Sequence, residues 1–305
     1  MFQLMLLLLT LGAGAQGTRT PEATSLLGQP LFAPAIAVER AAALEKDLAA
    51  AQAALEKDPS SADAIIWMGR RTAYLSRHRD AIAVFTTGIE KHPTDPRLFR
   101  HRGHRYITTR QFDKAIADLE KAAALVKDRA DEVEPDGQPN AKNIPTSTLK
   151  TNIYYHLGLA HYLAGNFAKA SEAYRLCMDH SKNPDMQVAT AHWQYMTLRR
   201  LGRPAEAAAV LAPITAEMAV IENASYHRLL LMYKGATDPV VLLAASRAES
   251  LDAVTIGYGV ANWHLYNGRK DEARTILTEI TDTYRSTQWA GFGYVASEAD
   301  LARLR

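Results

Sequence analysis

Three landmarks recur at one interval in the first half of this chain, and that interval restricts the fold more than any other feature. Pro59 to Pro93 spans 34 residues (93 − 59), Gly69 to Gly103 spans 34 (103 − 69) and Ala81 to Ala115 spans 34 (115 − 81). A fixed period of this length marks one supersecondary unit repeated along the chain. Apolar residues within each unit recur at helical spacing, and no segment alternates with period two for long, so almost no sheet is expected. Each unit reads as two helices closed by a proline, which lacks the amide hydrogen and clashes with the preceding turn. The glycine removes a side chain where the two helices cross, and the alanine does the same from its partner. A lone pair of such helices cannot bury its apolar face, so stacking must supply the core. The 305 residues, 48% of them hydrophobic, suffice for one large domain or two ordinary ones.

The helix-rich body begins near Val38, with units over about 62–93 and 96–125. The stretch from Thr151 to Cys177 shows the unit most fully. Tyr154, Leu157, Gly158 and His161 are spaced along a first helix, and Ala170, Tyr174 and Cys177 along a second, with Gly165-Asn166 breaking the two. These residues resemble the tetratricopeptide repeat, whose signature is an aromatic, Leu-Gly, an aromatic, then Ala and an aromatic in the partner helix. The resemblance implies an all-α, right-handed α-solenoid of stacked antiparallel helix pairs. It also implies a non-enzymatic scaffold that binds a protein or peptide.

Ala115 to Ala170 is 55 residues, or 34 plus 21, and the excess lies in 127–150, with Pro135, Pro139 and Pro145 and five acids between Asp128 and Asp136. This reads as a surface excursion, either a plain loop or part of a partner site. Further on, Gly202, Gly235 and Gly268 are spaced by 33 (235 − 202, 268 − 235), each in a turn between helices. Tyr195, Arg228 and Ala261 stand where the close-packing glycine belongs, so these pairs are splayed or the frame is off by a residue. Residues 286–305 read as one more amphipathic helix, whose Glu298, Asp300, Arg303 and Arg305 suit an end cap. The expected organisation is a signal peptide over 1–15, an extended tail over 16–37, repeats over 38–126, the insertion 127–150, repeats over 151–285 and a capping helix over 286–305. The signal rests on the apolar run Phe2 to Leu11 and the Ala13-Gly14-Ala15 site, and implies a bacterial-type chain, secreted or periplasmic, cleaved after Ala15. No Lys or Arg precedes the run, so a mis-assigned start or a buried helix is the alternative. The run is too short to span a bilayer, and no membrane span is expected in the mature chain.

Chemistry-bearing motifs are scarce. The single cysteine, Cys177, excludes an internal disulfide framework and a multi-cysteine zinc site, and reads as a buried structural thiol. Gly257-Tyr258-Gly259 and Gly291-Phe292-Gly293 lack the preceding strand that a dinucleotide loop requires, so no cofactor is expected. His101 and His104 share a helix face, but Arg100, Arg102 and Arg105 would repel a metal cation. Asn223-Ala224-Ser225 matches a glycosylation sequon and is expected to cap a helix instead. The stronger signal is charge. From Arg70 to Arg110 there are ten Lys or Arg against three acids, a local net of +7, although the whole chain carries only +2 and does not resemble a nucleic-acid polycation. That run is either a solvated surface with salt bridges to the acidic 128–136 segment, or an anion-binding face.

In the repeat family the first helix of each unit lines the concave surface. The matching positions here include Arg70, then Arg97, Arg100 and His104, then Tyr155, Leu159 and Tyr162, then His192 and Arg199, and finally Tyr258 and Asn262. The resemblance thus implies a partly basic, partly aromatic groove. Such a groove suits a peptide with acidic groups, because arginine holds a carboxylate through two parallel hydrogen bonds. An anionic glycan or cell-envelope ligand is the alternative. The carboxylate-clamp pattern of chaperone-binding relatives is absent, since Ile66 and Arg70 replace its Lys and Asn. Arg100 is expected to face solvent, or else to pair with Asp131 or Glu134 of the insertion.

Overall fold

The computed structural model describes residues 20–305; the expected signal segment at 1–15 and its cleavage site lie outside the described residues. From residue 38 onward the chain is a right-handed stack of antiparallel helices. In order these are α1 (Val38–Lys57), α2 (Ala62–Tyr74), α3 (His78–Lys91), α4 (Pro96–Thr108), α5 (Phe112–Val126), α6 (Leu149–Leu163) and α7 (Phe167–His180). There follow α8 (Pro184–Arg200), α9 (Pro204–Leu211), α10 (Ala224–Tyr233), α11 (Pro239–Ser246), α12 (Ser250–Tyr266), α13 (Lys270–Thr283) and α14 (Phe292–Arg303). The only strands among the described residues, β1 (Ala23–Thr24) and β2 (Pro30–Leu31), form a short antiparallel hairpin.

Local chemistry explains most boundaries. Inner helices start at residues whose side chains accept a first-turn amide: Ser61 from Ala64, Asp95 from Arg97, Thr148 from Thr151 and Asn183 from Met186. Pro96 and Pro184 occupy first-turn positions, where no amide hydrogen is needed. The turn within each later pair places Gly165, Gly202, Gly235 and Gly268 at positive φ (69 to 83°). In the first two units Ser76 and Arg110 take that left-handed conformation instead. The helix crossings are tight at the first-helix glycines of the units: a Cβ on Gly69 would lie 2.4 Å from the Phe85 ring, and one on Gly158 2.7 Å from Tyr174.

The weak register after α8 has a structural counterpart. Arg228 stands in the glycine place of α10, and its half-exposed side chain reaches out to Asp252. The α10/α11 pair is splayed accordingly, with α10 packing mainly on α8 and α12. In α12, Ala261 is wholly buried, and the helix makes its closest approaches one turn earlier. A Cβ on Gly257 would meet Ile280 at 3.0 Å, and one on Gly259 would meet Leu229 at 2.6 Å. The Gly-Tyr-Gly motif is therefore a packing device.

The last helix corrects an expectation. Instead of sealing the end of the stack with a polar outer face, α14 packs on α12 and α13 and reaches α6 across the inside of the curve. Residues 293–301 are all buried, including Glu298 (0% exposed) and Asp300 (1%). Glu298 forks onto Arg110 at 2.9 and 3.1 Å, and its carboxylate also accepts the Leu26 amide at 3.2 Å. Trp289 Nε1 donates to the Phe32 carbonyl at 2.7 Å. The hairpin segment thus docks where α14 meets the second unit, and Leu31 is fully buried there.

Candidate functional site

Beyond Arg100, six of the expected groove residues are interior. Leu159, Tyr162, Tyr258, Asn262 and His192 are each at most 1% exposed, and Tyr155 is buried as well. The structure does bring some of them together. Tyr162 Oη lies 2.7 Å from Tyr258 Oη and donates to Asn262 Oδ1 at 3.2 Å, and Tyr258 Oη donates to Asp300 at 2.9 Å. Arg200 joins the same network through Asn262 and Asp300. These inner-face side chains bind the chain's own C-terminal helix, where an open concave wall was expected. Arg199 stacks on Tyr266, 4.3 Å from the ring centroid, away from that network.

The insertion fills much of the first-half stripe. Its 127–148 stretch turns back over α2 and α4 and pairs with the start of α6 through a Val133–Thr148 bridge. Glu134 is buried between Arg100 Nε (3.1 Å), His101 Nε2 (3.3 Å) and Asn152 Nδ2 (2.9 Å). Arg70 donates to the Pro135 carbonyl at 2.8 Å and lies over the Trp67 ring at 4.4 Å. Arg71 donates to the Gly137 carbonyl at 2.9 Å. Arg100 is 9% exposed, so the expectation that it faces solvent is corrected: it clasps Glu134. Arg97 is held by Asp95 and Asp63, each at 2.6 Å.

What stays open is a short cleft in three connected recesses. The outer one, about 240 Å³, lies between the insertion and Arg70, Arg100, Asn152 and Glu222. The inner one, about 150 Å³, is lined by Arg70, Tyr74, Phe85, Arg100, His104 and Arg105 among others. The third, about 330 Å³, runs from His104 past Phe292, Tyr226, Leu251 and Thr255. Burial, with neighbouring guanidinium groups, holds the imidazoles of His101 and His104 well below their ordinary value. The same causes, burial first and then Arg100, push His156 down to about 3. The imidazoles around the cleft are therefore neutral near pH 7, and its positive charge resides on arginines. No helix among the described residues is long and apolar enough to cross a membrane, and no group of three or more potential ligands there is placed to hold a metal.

Some positioning residues escaped sequence reasoning. Asp185, 2% exposed, accepts the amides of Ile221, Glu222 and Asn223 at 2.7 to 3.1 Å and so fixes the segment that borders the cleft. Asn223, expected to cap α10 with its side chain, sits at the cap position but accepts no amide there. Its side-chain amide instead donates to the Asp185 carbonyl at 3.3 Å. A lone aspartate one residue after a helix-starting proline carries no signal for this.

The sequence of residues 151–183 matches the tetratricopeptide repeat family. A solved tetratricopeptide repeat protein from Parabacteroides merdae is similar over 85% of this chain and 92% of its own, at 12% identity with a TM-score of 0.50. YrrB, described as a tetratricopeptide repeat protein with an unusual peptide-binding site, is similar over 79% of this chain and 95% of its own, at 14% identity with a TM-score of 0.44. No curated protein matches the chain. Residues 151–183 thus match the tetratricopeptide repeat family, within a right-handed solenoid of that architecture.

Proposed function

We propose that this chain is a non-enzymatic interaction scaffold that takes a protein or peptide partner in the cleft between the insertion, α4, α10 and the start of α14. The observation that carries this reading is the cleft itself, which lies beside the start of α14 and is lined by arginines at one end and by Phe292 and Tyr226 at the other. Arginine forks recognise acidic groups, and flat aromatic rings supply contact area at low entropic cost. The partner is therefore an acidic chain end or loop. An extended anionic glycan, the alternative, is less well suited, because Glu222 and Asp252 line the 330 Å³ recess and would repel negative charge there. We place the protein outside the cytoplasm after signal cleavage, on the apolar run at its N-terminus; N-terminal sequencing of exported protein tests that location.

A photo-crosslinking residue at Leu251, which is 57% exposed on the cleft rim, tests the function. It should form an adduct with a protein of an envelope extract, and Arg70→Gln or added salt should suppress the adduct, because exposed charges are screened within about 8 Å at physiological ionic strength. Adducts formed only from a convex position such as Val240 would end the proposal.

A further inference from the structure

We propose that the inner recess between α2 and α4 binds a phosphate dianion, supplied as inorganic phosphate or as the phosphoryl group of a small phosphate monoester. This rests on reading the cleft as a binding surface and names the group its inner end takes. The charge of α4 carries the assignment. Four arginines lie on this helix, and three have carboxylates. Arg97 has Asp95 and Asp63, Arg102 has Asp118 at 2.7 and 2.8 Å, and Arg100 has Glu134. Arg105 has none within ion-pair distance among the described residues; its hydrogen bond is a long one, 3.4 Å, to His78 Nδ1. Arg70, across the recess, is likewise without a carboxylate and uses the Pro135 carbonyl and the Tyr74 hydroxyl.

Arg70, Arg100 and Arg105 all line the same 150 Å³ recess, and no carboxylate lines it. With Glu134 set against Arg100, the net charge is +2 (3 − 1). Burial, and then the charge of Arg100, push Arg105 down to about 10. An isolated interior charge is unfavourable unless a partner offsets it. Guanidinium forks match the oxygens of a phosphate, and a dianion balances the excess. The volume far exceeds the about 10–15 Å³ that one water needs, leaving room for a tetrahedral oxyanion. His104 lines both this recess and the 330 Å³ one, so an organic group esterified to the phosphate would extend toward Phe292. Glu134 and Asp136 line the outer recess, Asp252 lines the 330 Å³ one and Glu222 lines both, so the inner recess is the part of the cleft that no carboxylate lines, which orients an anionic group inward.

Calorimetric titration of the full chain with inorganic phosphate, phenyl phosphate and acetate tests this. Both phosphates should bind, with acetate at least about tenfold weaker, since a monoanion leaves one positive charge unbalanced. Phenyl phosphate binding about tenfold tighter than phosphate identifies a monoester ligand, as expected for an added apolar group; equal affinities identify free phosphate. Arg105→Met should lose at least about tenfold in phosphate affinity, the scale of one charge-assisted contact. Without ligand, the same variant should melt no lower than wild type, because it removes a charge with no carboxylate partner. Arg70→Gln, at the mouth of the recess, gives a second variant should Arg105→Met misfold. No heat from either phosphate at millimolar concentration, or equal affinity in wild type and both variants, overturns the assignment. Phosphate binding with no crosslinked partner would keep this site and remove the scaffold reading; a partner adduct with no phosphate heat would do the reverse.

Discussion

Arg100 shows how a residue on the expected stripe becomes part of the fold. It lies at the register position that faces inward, and the insertion covers it with Glu134, itself 8% exposed. Deleting one partner of a buried pair leaves the other charge unpaired, which costs about 3–5 kcal/mol. Arg100→Ala is therefore expected to destabilise the protein by that amount and, by loosening the insertion, to speed trypsin cleavage after Arg129 and Lys142, which are exposed on it. Urea unfolding and timed digestion check both; a variant as stable as wild type, with an intact insertion, would place Arg100 back on a solvated face. Arg110 makes a related point. It occupies a left-handed turn position that the later units give to glycine (φ 63°), yet its side chain reaches Glu298, the Trp289 carbonyl and the Thr108 carbonyl. Backbone strain of about 1–2 kcal/mol is tolerated there because the side chain is needed across the molecule.

At the scale of elements, the N-terminal hairpin, the α4–α5 turn and α14 form one joint. Glu298 holds it, accepting from Arg110 and from the Leu26 amide while wholly buried. Glu298→Ala should lower stability by about 3–5 kcal/mol, by the same unpaired-charge reasoning. It should also release the hairpin. Hydrogen exchange supplies the specific readout: the Leu26 amide loses its protection while amides inside α6 keep theirs relative to the global stability. If Leu26 stays protected, the hairpin is held by Leu31 and Trp289 rather than by the carboxylate.

For the molecule as a whole, the buried imidazoles set the response to acid. His101, His104, His156 and His192 are all held below the ordinary 6.5 by burial, aided by nearby guanidinium groups at the first three, with His156 and His192 at about 3. In the unfolded chain each takes a proton near 6.5; in the folded chain it does not. The unfolded state then binds more protons between about pH 6.5 and 3, and stability falls as the pH drops through that window. Each ring contributes a slope of up to about 1.4 kcal/mol per pH unit. Urea midpoints from pH 7 to pH 4 should decline, and His156→Gln should flatten the decline by about one proton. Parallel profiles for wild type and variant would mean that His156 titrates freely.

The repeat period, the helix pairs and their close crossings were legible in the sequence, because each depends on residues within one unit or between neighbouring units. Gly69 against Phe85 and Gly158 against Tyr174 lie 16 residues apart in each case (85 − 69, 174 − 158), within reach of a local pattern. The splay at α10 was legible too, from an arginine in the glycine place. The site was readable only in part: the charge excess between Arg70 and Arg110 was visible, but not which arginines would be answered. Glu134 meets Arg100 because the insertion folds back over the stack, and Glu298 meets Arg110 across 188 residues. Neither contact has a period or a fixed spacing to betray it. They arise because small rotations between successive units sum to a curve that brings the last helix inside the first turns. That sum is a property of the whole stack, and it left three arginines around a recess that no carboxylate lines.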